Sequence, residues 1–341
     1  MFKFKRMRWD VTVSHYAYRQ CILYIKLEVH TEVSSVSSRM TDIRNSAPFV
    51  IVNAFTKDPF GGNPAAIVLL KGELPTETCQ KIATNFNQPI TTFLIESTSP
   101  SDLAANANSR RFNVRWFTVL NEAPLCGHGT LAASGYLFSN PELVPSNVNV
   151  LHFQTRTGRV ITARRDGSLV GISLEAASVE VPSASEREVI EAAVKNGLQK
   201  PDLSIKFVGT GVGPFSYVLM VEIDEKDDLA SCKIDHSAFL ETGYSTNVIT
   251  HKVTKPGSDV SFVSRMFAPA SGVLEDHVCG TAHCLMTPYW TSKLGKAPSD
   301  VLLAQQVSGR GGNLKVVWND EEKQVVLKGE TILTMYGTVI L

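Results

Sequence analysis

The feature that most constrains this chain is a repeat. Cys126-Gly127-His128-Gly129-Thr130 and Cys279-Gly280-Thr281-Ala282-His283 lie 153 residues apart, and each opens an apolar run with helical spacing. Each follows an aromatic strand, Arg115-Trp116-Phe117 in one half and Arg265-Met266-Phe267 in the other. A twofold repeat of strand, loop and helix implies two similar lobes whose loop–helix elements face one another across a cleft. Further strands are expected at 49–55, 65–70, 92–95, 148–154, 159–163, 169–174, 216–222, 324–328 and 330–341, with helices at 76–87 and 185–196. The segments 118–124 and 268–278 read as loops. The strands are too many and too irregular for parallel β-α-β winding, so the expected class is α+β.

Charge removes several partner classes. Lysine plus arginine and aspartate plus glutamate stand at 33 each among 341 residues, a formal net charge of zero. Nucleic acid and anionic membrane would call for a basic excess, and neither is expected. No apolar run approaches the roughly 18–20 residues that a membrane helix needs. Six cysteines are too sparse for a disulfide scaffold in a chain of this length, so free thiols in the cytoplasm are the expectation. Residues 1–46 look unlike the rest: a basic start, a short apolar stretch at 21–25 and a serine-rich linker at 34–38. That apolar stretch is too short for a secretory signal, and a transit peptide is the alternative reading. No G-x-G-x-x-G follows a strand, so no nucleotide cofactor is expected, and Gly61-Gly62-Asn63-Pro64 reads as a plain turn.

The repeated Cys-Gly units suggest chemistry. A helix N-terminus leaves backbone N–H groups unpaired and carries roughly half a positive charge. A cysteine there is expected to have a lowered thiol pKa. The following glycines, Gly127 and Gly280, let a ligand approach the backbone. The free N–H groups would hold a substrate carboxylate without lysine or metal. One of Cys126 and Cys279 would then remove a proton beside that carboxylate, while the other returns one from the opposite face. The bland alternative is two small buried residues beside tight turns. His128 is a second acid/base candidate, and Asp276 would orient it or bind a substrate amine. Thr281 offers a hydroxyl at the second helix start; helix capping is the competing role for Asp276 and Thr281. His283 and Cys284 are expected to pack on the helix. Cys126-x-His128 with His277-x-Cys279 matches no usual structural zinc spacing, so no metal is expected. Arg310, in Ser308-Gly309-Arg310-Gly311-Gly312, is either a carboxylate clamp or part of a solvated turn.

These residues resemble the phenazine-biosynthesis-like (PhzF-type) isomerase family, which shares its fold with diaminopimelate epimerase and proline racemase. The markers are Val52-Asn53-Ala54-Phe55-Thr56, Gly62-Asn63-Pro64-Ala65-Ala66, Arg115-Trp116-Phe117-Thr118, Leu125-Cys126-Gly127-His128-Gly129-Thr130, the run from Glu275 to His283, and Gln306-Val307-Ser308-Gly309-Arg310. The resemblance covers about residues 48–341 and implies two pseudo-symmetric lobes, each a barrel-like sheet around a central helix, and often a homodimer. The expected division is an extension at 1–46, a first lobe at 47–165 completed by 330–341, and a second lobe at 166–329.

The family's histidine, aspartate and hydroxyl positions match His128, Asp276 and Thr281. Its proton-shuttling glutamate does not: that segment reads Pro89-Ile90-Thr91-Thr92-Phe93, with isoleucine at the glutamate's place. Cys279 stands where the family has threonine, and both thiol motifs are similar to those of proline racemase and diaminopimelate epimerase. The expected function is a cofactor-independent isomerase acting on a small carboxylate-bearing molecule, favoured as a two-thiol racemase or epimerase. Its catalytic residues would be Cys126, Cys279, His128 and Asp276, with Gly127, Gly129, Gly280, Thr281, Asn63 and Arg310 binding substrate. A hydrogen-shift isomerase or cyclase using His128 and Asp276, and a non-catalytic binding descendant, are the alternatives.

Overall fold

The structure is a computed structural model that describes residues 45–97 and 108–341. The expected extension therefore lies outside the described residues except at 45 and 46. Residues 47–339 form one compact unit. Among the described residues no helix is long and apolar enough to cross a membrane.

The chain begins with β1 (Ser46–Ala54), which pairs antiparallel with β2 (Asn63–Leu70). The turn between them needs Gly62: its φ is 67°, and a Cβ there would sit 2.3 Å from the Ala54 carbonyl oxygen. Helix α1 (Thr76–Phe86) ends on left-handed Asn87 and carries the chain over to β3 (Ile90–Glu96), parallel to β2. Then β4 (Ser109–Phe117) pairs antiparallel with β3 and turns back through the two-residue β5 (Glu122–Ala123). Helix α2 (Gly127–Ser139) follows. Next come β6 (Val150–Gln154) parallel to β4, β7 (Val160–Asp166), β8 (Leu169–Glu175) and the short β9 (Val179–Glu180).

After helix α3 (Ala184–Gly197) the same pairings recur. β10 (Ile205–Gly211) is antiparallel to β11 (Val218–Ile223), and β12 (Thr246–Lys252) runs parallel to β11. β13 (Phe262–Ala268) is antiparallel to β12 and turns back through β14 (Val273–Asp276). Helix α4 (Gly280–Lys293) follows, then β15 (Val301–Gln306) parallel to β13, β16 (Gly312–Asn319), β17 (Gln324–Gly329) and β18 (Thr331–Ile340). Three pairings join the halves. β8 pairs with β17, and the trailing strand of each half is lent out: β9 to β10, and β18 to β1.

Helix α2 is buried on nearly every face and packs on β2, β3, β7 and β8. A helix apolar all round must be a core helix, since it has no face to offer water. Helix α4 plays the same part against β11, β16 and β17, with Trp290 fully enclosed. It runs through Pro288, which has no N–H to give the Cys284 carbonyl. That carbonyl instead accepts from the Ala177 N–H at 3.1 Å, so the proline leaves no buried acceptor unpaired.

Candidate active site

Cys126 and Cys279 are the N-caps of α2 and α4. Each is extended, and each sulfur accepts the backbone N–H three residues on, from Gly129 and from Ala282, both at 3.4 Å. The two helix starts meet. A Cβ on Gly127 would lie 3.5 Å from the Gly280 Cα, and one on Gly280 would lie 3.4 Å from the Gly127 Cα. These are ordinary contact distances, so the two backbones run side by side with room for a methyl group at Gly280 but little more.

The convergence opens a cleft of about 260 Å³ whose wall includes both cysteines. Cys126 is 9% exposed and Cys279 6%. His128, Asp276, Gly127, Gly280 and Thr281 also line it. The companions of the two thiols differ. The Cys126 sulfur lies 3.4 Å from His128 Nδ1. On the other wall, Asp276 Oδ1 accepts from Asn63 Nδ2 at 2.6 Å, and the same amide donates to the Val278 carbonyl at 3.0 Å. Gln306 completes the support: its Nε2 donates to the Asp276 carbonyl at 2.6 Å, and its Oε1 accepts from the Cys279 N–H at 2.9 Å.

Each cysteine is also held from upstream. Arg115 makes a two-pronged ion pair with Glu122 (2.8 and 2.7 Å), which lies four residues before Cys126. Arg265 does the same with Glu275 (2.7 and 2.8 Å), four residues before Cys279. Each guanidinium sits over the phenylalanine two residues on, Phe117 or Phe267. Arg265 reaches further inward, donating also to the Leu229 and Cys232 carbonyls. Forked pairs of this kind fix geometry as well as charge. They pin the hairpins β4–β5 and β13–β14, and the second delivers Asp276.

Burial reverses one expectation from the sequence. A helix N-terminus favours the thiolate, but here desolvation outweighs it. The Cys126 thiol is pushed up to about 12 by burial, against the Gly129 N–H and with the Asp276 charge adding to the rise. Burial, then the Asp276 charge, holds Cys279 well above the ordinary thiol value. Both rest as neutral thiols. Burial likewise holds His128 below the usual imidazole value despite the opposing Asp276 charge, so near neutral pH it is an uncharged proton acceptor.

The other residues singled out from the sequence fall in different places. Gly129 lies just behind the cleft wall, where a Cβ would come within 2.8 Å of Thr92 Oγ1 and 3.0 Å of Ile90 Cγ2. Asn63 is fully buried and touches the cleft only through Asp276. Arg310 is directed elsewhere: its guanidinium donates to the Gly61 and Gly62 carbonyls at 2.9 and 2.8 Å and braces that turn. His283 packs inside α4 with Nδ1 2.7 Å from the Cys279 carbonyl. Ile90 lines the cleft, so an isoleucine occupies the wall where related proteins are expected to carry glutamate. Its partner in the sheet, Ala65, stands at the 153-residue offset from Val218, which faces Thr246; Thr246 lines the cleft too. Sequence reasoning missed Thr246, Gln306 and Tyr217. Tyr217 lines the cleft with its phenol raised by burial and then by the neighbouring Cys279. The sequence reads Tyr217 as part of an apolar strand at 216–222, which gave no signal of this; it lies in the turn just before β11.

Comparison with known proteins finds relatives over most of the chain. A family model described as phenazine biosynthesis-like protein matches residues 52–337. An uncharacterised isomerase of Pseudomonas aeruginosa is 33% identical over 294 residues, covering 85% of this chain and 97% of that protein. A crystal structure of a PhzF-family phenazine biosynthesis protein from Enterococcus faecalis matches with a TM-score of 0.71 at 28% identity, over 87% of this chain and 100% of that one. A hydroxyproline epimerase from Agrobacterium vitis shares the fold at a TM-score of 0.52 and 10% identity, over 86% of this chain and 91% of that one. With an α+β fold, a matching family model over most of its length and relatives named as isomerases, this chain is an isomerase belonging to the phenazine biosynthesis-like (PhzF) family.

Proposed function

We propose that this isomerase is a two-thiol racemase or epimerase acting on a small carboxylate, its site formed between two pseudo-symmetric lobes that each wrap a sheet around a central helix. One observation carries the reading: two cysteine-capped helix starts share one cleft, while the position of the family glutamate holds Ile90, which cannot carry a proton. The unpaired N–H groups of the first helical turns bind the substrate carboxylate and stabilise the charge that develops when the neighbouring proton leaves. Neutral thiols fit this scheme. His128 takes the Cys126 S–H proton across 3.4 Å, and the thiolate removes the substrate proton. Cys279, kept as a thiol by burial and by Asp276, gives its proton to the opposite face. The products are inverted substrate, Cys126 again as thiol, and a Cys279 thiolate that recovers the proton held on His128 through solvent.

The test is proton exchange in D₂O followed by NMR and optical rotation. Inversion with one deuterium gained and no double-bond movement supports the reading. If Cys126→Ser and Cys279→Ser both keep full activity, the reading is wrong. A second reading draws on His128 and Asp276 lining the same cleft: a hydrogen shift carried by these two, seen as double-bond movement that survives Cys279→Ser.

A further inference from the structure

The walls of the cleft restrict what part of a substrate can go where. Among the described residues, the one carboxyl side chain in its wall is Asp276, and neither lysine nor arginine lines it. The helix N–H groups answer one carboxylate, and Asp276 answers one cation. Any third charge on the ligand would be desolvated without a partner. Beside the hydroxyls of Thr118, Thr246, Ser271 and Thr281 and the His128 imidazole, the wall is apolar, with Ile90, Leu125, Met266, Ala268 and the ring of Tyr217 prominent. Ile90 lies against the first turn of α2, since its Cγ2 is 3.0 Å from where a Cβ of Gly129 would be. Leu125 directly precedes Cys126, and Met266 faces Asp276 across the β13–β14 pair. The apolar surface therefore begins next to both thiols. A volume of about 260 Å³ falls just below the roughly 300–1,000 Å³ of sites that take drug-sized ligands, so the occupant is a small metabolite.

We infer that the substrate is a free α-amino acid with one carboxylate, one ammonium and a compact uncharged apolar side chain. The carboxylate lies on the paired helix starts, the ammonium at Asp276, and the side chain against Ile90, Leu125 and Met266. Dicarboxylic and dibasic amino acids are excluded by the missing third partner. This rests on the two-thiol reading, and the experiment separates the two.

The full chain is incubated in D₂O with leucine, methionine, phenylalanine, glutamate and lysine, and α-proton exchange is followed by NMR. In parallel, alkylation of Cys126 and Cys279 by iodoacetamide is followed by mass spectrometry, with each amino acid as protectant. The expected result is protection and exchange by at least one apolar member, about 100-fold or more faster than with glutamate or lysine, since a buried unpaired charge is costly. Asp276→Asn should then lower the preference for the amino acid over its hydroxy-acid analogue by about tenfold, as expected when one charge partner is lost. Exchange led by glutamate or lysine overturns the substrate class and leaves the two-thiol reading standing. Apolar amino acids that protect the thiols without exchange leave the class standing and overturn the reading. Neither protection nor exchange by any member overturns the inference.

Discussion

The two walls of the cleft share a backbone plan and differ in chemistry. On each, a forked arginine–glutamate pair pins a hairpin, a cysteine caps a buried helix through an N–H three residues on, and a glycine lies beside that of the opposite wall. The companions part company. Cys126 has an imidazole two residues later, where Cys279 has Thr281; Asp276 stands three residues before Cys279, where the first half has Ala123. The same strand pairings thus recur in both halves while single positions differ, an imidazole beside one thiol and a carboxyl facing the other; under the proposed function these two would divide the acid/base labour.

The sharpest way to break this comparison is to remove the sulfurs one at a time. Cys126→Ala and Cys279→Ala should each lower turnover about 1,000-fold or more, because general acid and base groups contribute 10²–10⁴ each. Unequal losses, with one variant near wild type, would mean that the walls are not partners. Next in size are the clamps. Arg265→Ala should cost about 3 kcal/mol of unfolding free energy, because it leaves Glu275 half-buried without its partner. Arg115→Ala should cost less, about 2 kcal/mol, since Glu122 is more exposed. Urea titration measures both, and only the first should also depress activity in the folded protein, through Asp276.

His128→Asn tests the division of labour and should lower turnover about 100-fold. Its pH profile gives the sign: wild-type activity should persist at neutral pH and fall as pH drops below the ordinary imidazole value, while the variant lacks that limb. A further pH effect concerns stability. Burial pushes His283 down to about 4, so its folded-state pKa is depressed and the folded form resists protonation. Stability should be full above about pH 6.5 and fall toward pH 4 by up to about 1.4 kcal/mol per unit, with a shallower slope in His283→Gln. The smallest effect sharpens the symmetry. Gly280→Ala brings ordinary contacts of 3.4 Å to Gly127 and Leu327 and should shift stability by less than about 1 kcal/mol. Gly129→Ala, crowded at 2.8 Å by Thr92, should cost about 1–3 kcal/mol.

Much of this plan was legible in the residues because it is local. The Cys-Gly units at equal offset announced both helix starts, and the aromatic strand Arg115-Trp116-Phe117 announced β4. Two strands were hidden: Thr246–Lys252 mixes its two apolar residues with polar ones, and Val301–Gln306 is a four-residue apolar run followed by two glutamines, too short to show a period. The segments read as loops at 118–124 and 268–278 contain β5 and β14, too short to show a period. The site was half legible. Its helix caps follow from spacing, whereas the Asn63–Asp276 bond joins residues 213 apart and Gln306 bridges 27 and 30. The thiol protonation was misread because a dipole is local and desolvation is collective: the former is written in the sequence, the latter only in the packing.

The lending of β9 and β18 has a consequence for how the molecule comes into being. Among the described residues the first strand is completed by the last, so the interior of the earlier portion stays open at one edge until β18 has been made. A gene split near residue 182 would give two fragments that each expose an unpaired border and lack a borrowed ribbon. Such pieces should reassemble with one another more readily than either persists alone.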